Sequence, residues 1–181
     1  MRMRIALFLL FLAGPALAET CLAPQDRGAE RAALLTDLAG SGSPSEGIAA
    51  ANALWAFWTR APDARAQDLL DTGMRRMREA DFAEAERVLT TLVTYCPDFA
   101  EGWNQRAFAR FLDQRLDESL DDIAEALARE PAHFGALSGQ AQIFVRQGRP
   151  KMAQAALRRA VRVHPWLQER ALIIDDGGTD I

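Results

Sequence analysis

The sequence predicts an all-α fold, a right-handed helical solenoid of three 34-residue repeats with N-terminal helices before it and a C-terminal capping helix after it. Three observations favour this fold class. Pro97, Pro131 and Pro165 recur at one constant interval, the length of a repeat. Small and large apolar residues recur in the same register between them. Within each repeat, apolar residues follow the spacing of one buried helix face.

The register is clearest at positions where two antiparallel helices of one repeat have to face each other. Small side chains there let the helix backbones approach closely, and a bulkier residue would overpack the contact. Each proline is expected to end the second helix of its repeat, because it lacks an amide hydrogen and its ring clashes with the preceding turn. The recurring residues are Gly73, Ala107 and Ala141, then Ala85, Ser119 and Ala153, then Leu89, Ile123 and Leu157.

The middle repeat shows the helical periodicity of its second helix. One face is apolar, with Leu116, Leu120, Ile123, Ala124 and Leu127. The remaining positions are acidic, and we interpret them as a solvated convex face. A site for a cation or a basic protein is the alternative. The acidic residues are Asp117, Glu118, Asp121, Asp122 and Glu125.

This pattern resembles the tetratricopeptide repeat, whose consensus runs W-x2-L-G-x2-Y, then A-x3-F, then P. The middle repeat carries Trp103, Ala107, Ser119, Ile123, Ala126 and Pro131. The third repeat carries Ala141, Phe144, Gly148, Ala153, Leu157, Ala160 and Pro165. Arg76 and Arg110 depart from it where an aromatic residue is usual, and Leu69 and Leu137 replace the tryptophan. The resemblance covers residues 66–165, divided into repeats 66–99, 100–133 and 134–165.

Residues 19–65 are expected to form N-terminal helices that resemble a degenerate repeat stacked before the first clear one. A helix is predicted from about Arg27 to Leu38. A second begins at Ser43-Pro44-Ser45-Glu46, which combines a proline at the first helical position with a serine-to-glutamate capping box. The second helix should bury one face, formed by Ile48, Ala51, Trp55 and Trp58.

Two further local patterns concern the joints and the end of the solenoid. After Pro97, Asp98 and Glu101 have the spacing of a capping box for the next helix. Residues 166–174 place apolar side chains at helical spacing after Pro165, which predicts a capping helix over the last repeat. The final segment, 175–181, is expected to form a polar tail.

Residues 1–18 have the pattern of a secretory signal peptide. Arg2 and Arg4 precede a short apolar run, and Ala16-Leu17-Ala18 is a small-residue cleavage site. The alternative, a membrane anchor, would need about 20 apolar residues. Cleavage after Ala18 would remove both of these arginines and change the formal charge from −4 to −6. We therefore expect a periplasmic protein that inserts in no membrane after cleavage and does not bind nucleic acid.

Cys21 and Cys96 are the only two cysteines of the chain. In an oxidising compartment an even cysteine count favours a structural disulfide between them. Two unpaired thiols and a redox pair are the alternatives. The redox interpretation has little support, because the sequence has no C-x-x-C motif and no strand pattern to carry one.

The resemblance implies a module that binds a protein or peptide partner, because the first helices of such repeats line a concave groove. The matching positions are Met74, Met77, Arg78, Asn104, Phe108, Phe111, Gln142, Val145 and Arg146. Some of these residues could instead pack in the core, or the N-terminal helices could fill the groove. The alternative function is a chaperone or assembly factor that holds an unfolded exported client such as an apocytochrome.

Catalysis finds little support in the sequence, and we expect neither a cofactor nor a metal. The chain has two histidines, His133 and His164. Both stand beside the prolines that end repeats, where they suit cap or turn positions. A zinc site would need more ligands at closer spacing. No catalytic motif with a nucleophile, base and orienting acid appears.

Overall fold

The computed structural model describes residues 20–22 and 26–174, so the predicted signal peptide and polar tail lie outside the described residues. The prediction of an all-helical chain is confirmed for this part of the protein. No helix within it is both long and apolar enough to cross a bilayer. A short 3-10 helix, Gln168–Leu172, follows eight α-helices: α1 (Gly28–Gly40), α2 (Pro44–Trp58), α3 (Ala64–Arg78), α4 (Phe82–Tyr95), α5 (Ala100–Leu112), α6 (Leu116–Arg129), α7 (Phe134–Arg146) and α8 (Pro150–Val163).

The three repeats are the helix pairs α3–α4, α5–α6 and α7–α8. Successive pairs stack on one another, α4 against α5 and α6 against α7. Pro97, Pro131 and Pro165 each stand just beyond the last residue of a second helix, as expected. The proline spacing in the sequence therefore marks the joints of the stack.

The turn between the two helices of each repeat has a left-handed residue in the same register. These residues are Ala80, Gln114 and Gly148, with φ of 58°, 64° and 67°. At each turn the amide of the next residue donates to a carbonyl in the last turn of the preceding helix, as in a Schellman motif. Glycine fills this position in the third repeat alone, so the other two turns hold L-residues in a conformation they rarely adopt.

The small residues act as expected inside the hairpins. The Ser119 hydroxyl is buried and donates to the carbonyl oxygen of Ala107 at 2.7 Å, so these two positions do face each other. Gly73 differs in its neighbour. A Cβ on Gly73 would lie 2.6 Å from Cγ of Leu89, so its missing side chain makes room for this leucine.

The N-terminal helices form as predicted, but they do not stack before the first repeat. The α1–α2 hairpin packs against α7 and α8, and Leu38 and Leu54, both fully buried, share one core with those helices. At its tip, Trp166 Nε1 donates to the carbonyl oxygen of Ser41 at 2.9 Å. A Cβ on Gly47 would lie 2.5 Å from the Trp166 ring, so glycine is needed for this close approach. The α1–α2 hairpin therefore packs on the third repeat and not on the first.

The predicted apolar face of α2 is partly wrong. Ile48 is 55% exposed, whereas Ala51 and Trp58 are buried as expected. Leu54 and Phe57 complete the buried face. Ile48 is exposed because the hairpin packs against α7 and α8 and buries the side of α2 that meets these two helices.

The capping helix predicted over residues 166–174 is also corrected. The segment forms only the 3-10 helix. The Gln154 side chain holds the end of this helix and the residue after next, since its Nε2 donates to the carbonyl of Leu172 and its Oε1 accepts from the amide of Ile174, both at 2.9 Å. These bonds satisfy backbone groups that a longer helix would have used internally.

The acidic run of α6 is not a uniformly solvated face. Asp122 is only 2% exposed and accepts a two-pronged hydrogen bond from Arg106, at 2.9 and 2.7 Å. Arg110 Nη1 donates to the same carboxylate at 2.9 Å, and its Nε donates to Glu86 at 2.9 Å. This cluster joins α4, α5 and α6, so it ties the first repeat to the second.

Candidate functional site

A cavity of about 770 Å³ opens along the first helices of the three repeats. Residues from α3, α5 and α7 line most of it, and the end of α2 and the segment after α8 close its sides. Its lining is predominantly apolar. We call it the concave groove and define it by Trp55, Thr59, Met74, Met77, Arg78, Asn104, Gln105, Phe108, Phe111, Ser138, Gln142, Ile143, Leu167 and Glu169.

The structure brings together most of the residues predicted to line this groove. Val145 and Arg146 do not line it, because the wall at this end of α7 is formed by Gln142 and Ile143. Val145 is 65% exposed outside the cavity. The predicted residues that do line the groove are Met74, Met77, Arg78, Asn104, Phe108, Phe111 and Gln142. Whether a ligand binds there stays a prediction.

Two phenylalanines of α5 form the aromatic part of the groove. The rings of Phe108 and Phe111 are nearly parallel, 17° apart in plane, with centroids separated by 6.5 Å. Phe108 is 48% exposed, whereas Phe111 is half-buried. Arg146 covers Phe111, with its guanidinium carbon 4.7 Å from the ring centroid. Phe108 is thus the aromatic surface open to a partner, and Phe111 supports it.

A buried polar cluster lies at the base of the groove. Glu101, 1% exposed, accepts hydrogen bonds from Asn104 Nδ2 at 3.1 Å and Gln105 Nε2 at 2.5 Å. His133 Nδ1 accepts from the amide of Ala136 at 3.2 Å, so the ring proton is on Nε2, which donates to Glu101 at 2.8 Å. The prediction of His133 as a helix cap is confirmed. Glu101 fixes the side-chain amides of Asn104 and Gln105 and leaves their oxygens open.

The capping box predicted for Asp98 and Glu101 is wrong. Phe99 is the residue before α5, and no side chain caps this helix. Glu101 has turned inward to the buried cluster. The spacing was compatible with a cap, but the Glu101 carboxylate instead accepts hydrogen bonds from His133 and from two side-chain amides in the buried cluster.

One wall of the groove comes from α2 and was not expected from the repeat pattern. The Trp55 and Phe134 rings meet edge to face at 5.4 Å. A Cβ on Gly135 would lie 2.5 Å from Cη2 of Trp55, so this glycine admits the indole. Trp58 stacks on His133, with centroids 4.1 Å apart. The hairpin thus narrows the groove from one side without filling it. In the sequence, Gly135 was the one residue that indicated a close contact at the start of α7.

The groove carries opposite charges on different elements. Arg78 is the exposed last residue of α3, and within the described part of the chain no carboxylate or hydrogen-bond acceptor pairs with it. Glu169 lies beyond α8, where its Oε1 accepts from Ser138 at 2.8 Å and from Gln142 at 3.4 Å. The Arg78 guanidinium is therefore available to a ligand, whereas one oxygen of Glu169 accepts hydrogen bonds from two uncharged side chains.

The two cysteines lie together away from the groove. Their Cα atoms are 5.2 Å apart and their sulfurs are paired, a geometry compatible with a disulfide. Asp63 is near both and is held by the amides of Leu22 and Ala66. These two cysteines and Asp63 are the one group of possible metal ligands found among the described residues. Sulfurs bonded to each other offer no thiolate to a metal.

The disulfide and the signal-peptide cleavage are tested together by intact mass. We expect the protein from a periplasmic fraction to begin at Glu19 and to take up no alkylating reagent before reduction. After reduction, two cysteines should be alkylated. Alkylation of two thiols in the unreduced protein would rule out the bridge, and retention of the segment 1–18 would rule out the cleavage.

The comparisons with known proteins agree with a fold of stacked helical repeats. No family model matches the chain. A TPR repeat-containing protein of Rhizobium etli is 30% identical over 132 residues, which cover 73% of this chain and 65% of that protein, so the chain spans just under two thirds of its relative. The crystal structure of MamA protein matches with a TM-score of 0.53 and 18% identity, over 76% of this chain and 75% of that one, and this likeness supports the fold. Together with the three stacked helical hairpins, these findings support the assignment of the chain to the tetratricopeptide-repeat proteins.

Proposed function

We propose that this protein is a periplasmic interaction module that binds a segment of a partner protein in the concave groove. The observation that carries the proposal is the groove itself, an apolar cavity of about 770 Å³ on the first helices of the repeats. Pockets of this size, lined by apolar side chains with a few polar groups, are typical of binding sites. The proposal assigns no catalytic step to the chain.

The exposed aromatic surface supports this function. Phe108 is 48% exposed and its ring lies parallel to that of Phe111, so the groove presents a contiguous aromatic surface and not one isolated apolar side chain. Met74 and Met77 line the same groove and can adapt to the shape of a partner. The proposed location rests on the signal-peptide pattern and on the cysteine pair, which suits an oxidising compartment.

Replacing Phe108 by alanine is expected to weaken partner binding by about 1–3 kcal/mol, the usual effect of removing an aromatic anchor. Folding should change less, because about half of this side chain is already exposed. The measurement is an affinity purification of periplasmic proteins on the mature chain, followed by mass spectrometry and by the Kd of the retained partner for both forms.

Val145→Ala is the matched control. Val145 is an exposed apolar residue of α7 outside the groove, so its loss should leave partner binding unchanged. Equal binding by the wild-type protein and Phe108→Ala would contradict the groove assignment. Retention of many unrelated unfolded chains, in place of one or two defined partners, would indicate the chaperone function instead.

A further inference from the structure

We propose that the outer face of α8, with the segment that crosses it, binds the anionic headgroups of a phospholipid bilayer and holds the protein on a membrane surface. We call this surface the α8 face and define it by Lys151, Arg158, Arg162, Leu172 and Ile174. None of these five residues lines the concave groove. The inference therefore goes beyond the proposed function and does not depend on it.

The charges of the chain are segregated along the sequence. Residues 131–174 contain seven basic residues and a single acidic one, Glu169, whereas residues 26–130 contain 12 basic and 20 acidic residues. The three aspartates of 175–181 still leave the chain from Pro131 onward with more cations than anions. Charges more than about 8 Å apart are largely screened at physiological salt. An approaching surface therefore meets this local basic excess and not the acidic charge of the whole chain.

Three cations form a row on the side of α8 that points away from the core. The buried residues of α8 are three alanines and Leu157. Lys151, Arg158 and Arg162 are seven and four residues apart, so they share one side of the helix, opposite the buried one. Lys151 and Arg162 are exposed, and no carboxylate or hydrogen-bond acceptor among the described residues pairs with either of them. The row is thus open to an external anion.

The row is unfavourable for the helix itself. Lys151 lies in the first turn of α8, where the helix dipole disfavours a cation, and this turn has no acidic residue. Arg158 and Arg162 are four residues apart, a spacing at which like charges repel. Folding therefore does not explain the row, and an anionic surface would neutralise it. In the first two repeats, by contrast, ion pairs already neutralise Arg75, Arg76, Arg87, Arg106, Arg110, Arg115 and Arg129.

Two aliphatic side chains lie beside the row. Gln154 binds the backbone of Leu172 and Ile174, and Arg158 Nη2 donates to the carbonyl oxygen of Ile174 at 2.6 Å. With the backbone held against α8, Leu172 is 64% and Ile174 is 60% exposed. Cations next to exposed aliphatic side chains are typical of surfaces that lie on a bilayer, where the cations meet lipid phosphates and the aliphatic groups enter the headgroup boundary.

A second copy of the chain is a poorer occupant of the α8 face. The longest acidic run of the chain lies on α6, and most of it is engaged within the same molecule. Asp122 is buried between two arginines, Glu118 pairs with Arg115, and Glu125 pairs with Arg129. This acidic surface therefore offers few free carboxylates to the α8 face of another copy, whereas a bilayer offers a dense layer of phosphates.

The test is flotation of the mature chain with vesicles of phosphatidylglycerol mixed with phosphatidylethanolamine, and with vesicles of phosphatidylcholine alone. We expect the chain to float with the anionic vesicles only. Raising the salt from about 0.15 M to about 1 M should weaken this binding, because the screening length falls from about 8 Å to about 3 Å. Combining Lys151→Gln with Arg162→Gln should weaken it about 25-fold, since each cation near an anionic surface contributes about fivefold.

Arg75→Gln combined with Arg87→Gln is the matched control. Both arginines are exposed, lie on α3 and α4, and carry the same charge as the pair removed from α8. This control should bind the anionic vesicles as the wild-type protein does. Leu172→Ser should bind them more weakly at unchanged charge, because the exposed aliphatic side chain is lost.

Three results would overturn the proposal. The first is equal flotation, or none, with the two kinds of vesicle. The second is an equal effect of the α8 variant and the matched control, which would mean that binding follows the net charge and not the α8 face. The third is a dimer in the absence of vesicles that Lys151→Gln with Arg162→Gln dissociates, which would assign the face to a second copy.

Discussion

Replacement of Asp122 by alanine is expected to lower the free energy of unfolding by about 3–5 kcal/mol, since removing one partner of a buried ion pair leaves an uncompensated charge. Asp122 is 2% exposed and holds two guanidinium groups at once. Arg106 and Arg110 are themselves 11% and 16% exposed at their side chains. Both guanidinium groups stay largely shielded from water when the Asp122 carboxylate is removed. The variant therefore leaves two largely buried cations without the carboxylate that they share.

The measurement is denaturant unfolding of the variant and of Asp121→Ala, the matched control. Asp121 is the neighbouring acidic residue of α6 and is exposed, so its removal should change stability by about 0.5 kcal/mol or less. The two variants lose the same charge, and their difference isolates the buried contact. An Asp122→Ala protein as stable as the control would mean that the arginine cluster does not hold the first two repeats together.

The repeat architecture was predictable from the sequence because its causes are local and recur. A proline ends a helix wherever it stands, and small residues in register are enough to predict close helix contacts. The pairing of Ala107 with Ser119 is such a case. The helix that opens at Ser43 is another, because the Ser43 hydroxyl accepts from the amide of Glu46 as the capping pattern predicts.

The burial of Asp122 was not predictable from the same pattern. The apolar stripe read from the sequence leaves Asp122 out, although its spacing from Ser119 and Ala126 places it on the buried face of α6. The arginines that pair with it lie on the preceding helix, α5. One signal was present in the sequence. Arg110 stands where this repeat family usually has an aromatic residue, and a buried arginine requires a counter-charge.

The candidate groove was predictable in part for a related reason. The repeat register places Met74, Phe108 and Gln142 on successive first helices, and all three line the cavity. The wall from α2 depends on contacts across the fold, between Trp55 and the start of α7 at Phe134. Helical periodicity within α2 says which residues are apolar, but not which distant helix they meet.

Replacement of Trp58 by alanine is the strongest test of how the N-terminal hairpin docks. Trp58 is 5% exposed, stacks on His133 and donates from Nε1 to Glu130 at 3.4 Å. Truncating a buried tryptophan removes these contacts and leaves a cavity, so the free energy of unfolding should fall by about 3–5 kcal/mol. Amides of α1 and α2 should also lose hydrogen-exchange protection, because the hairpin would be held less firmly on the third repeat.

The matched control for this variant is Ile48→Ala on the same helix. Ile48 is 55% exposed, so its truncation should cost about 0.5 kcal/mol or less and leave amide exchange unchanged. A hairpin that stacks before the first repeat would make both truncations costly, since Ile48 and Trp58 were both expected on its buried face. Denaturant unfolding of the two variants therefore distinguishes the two placements, because only docking on α7 and α8 leaves Ile48 exposed while Trp58 is buried.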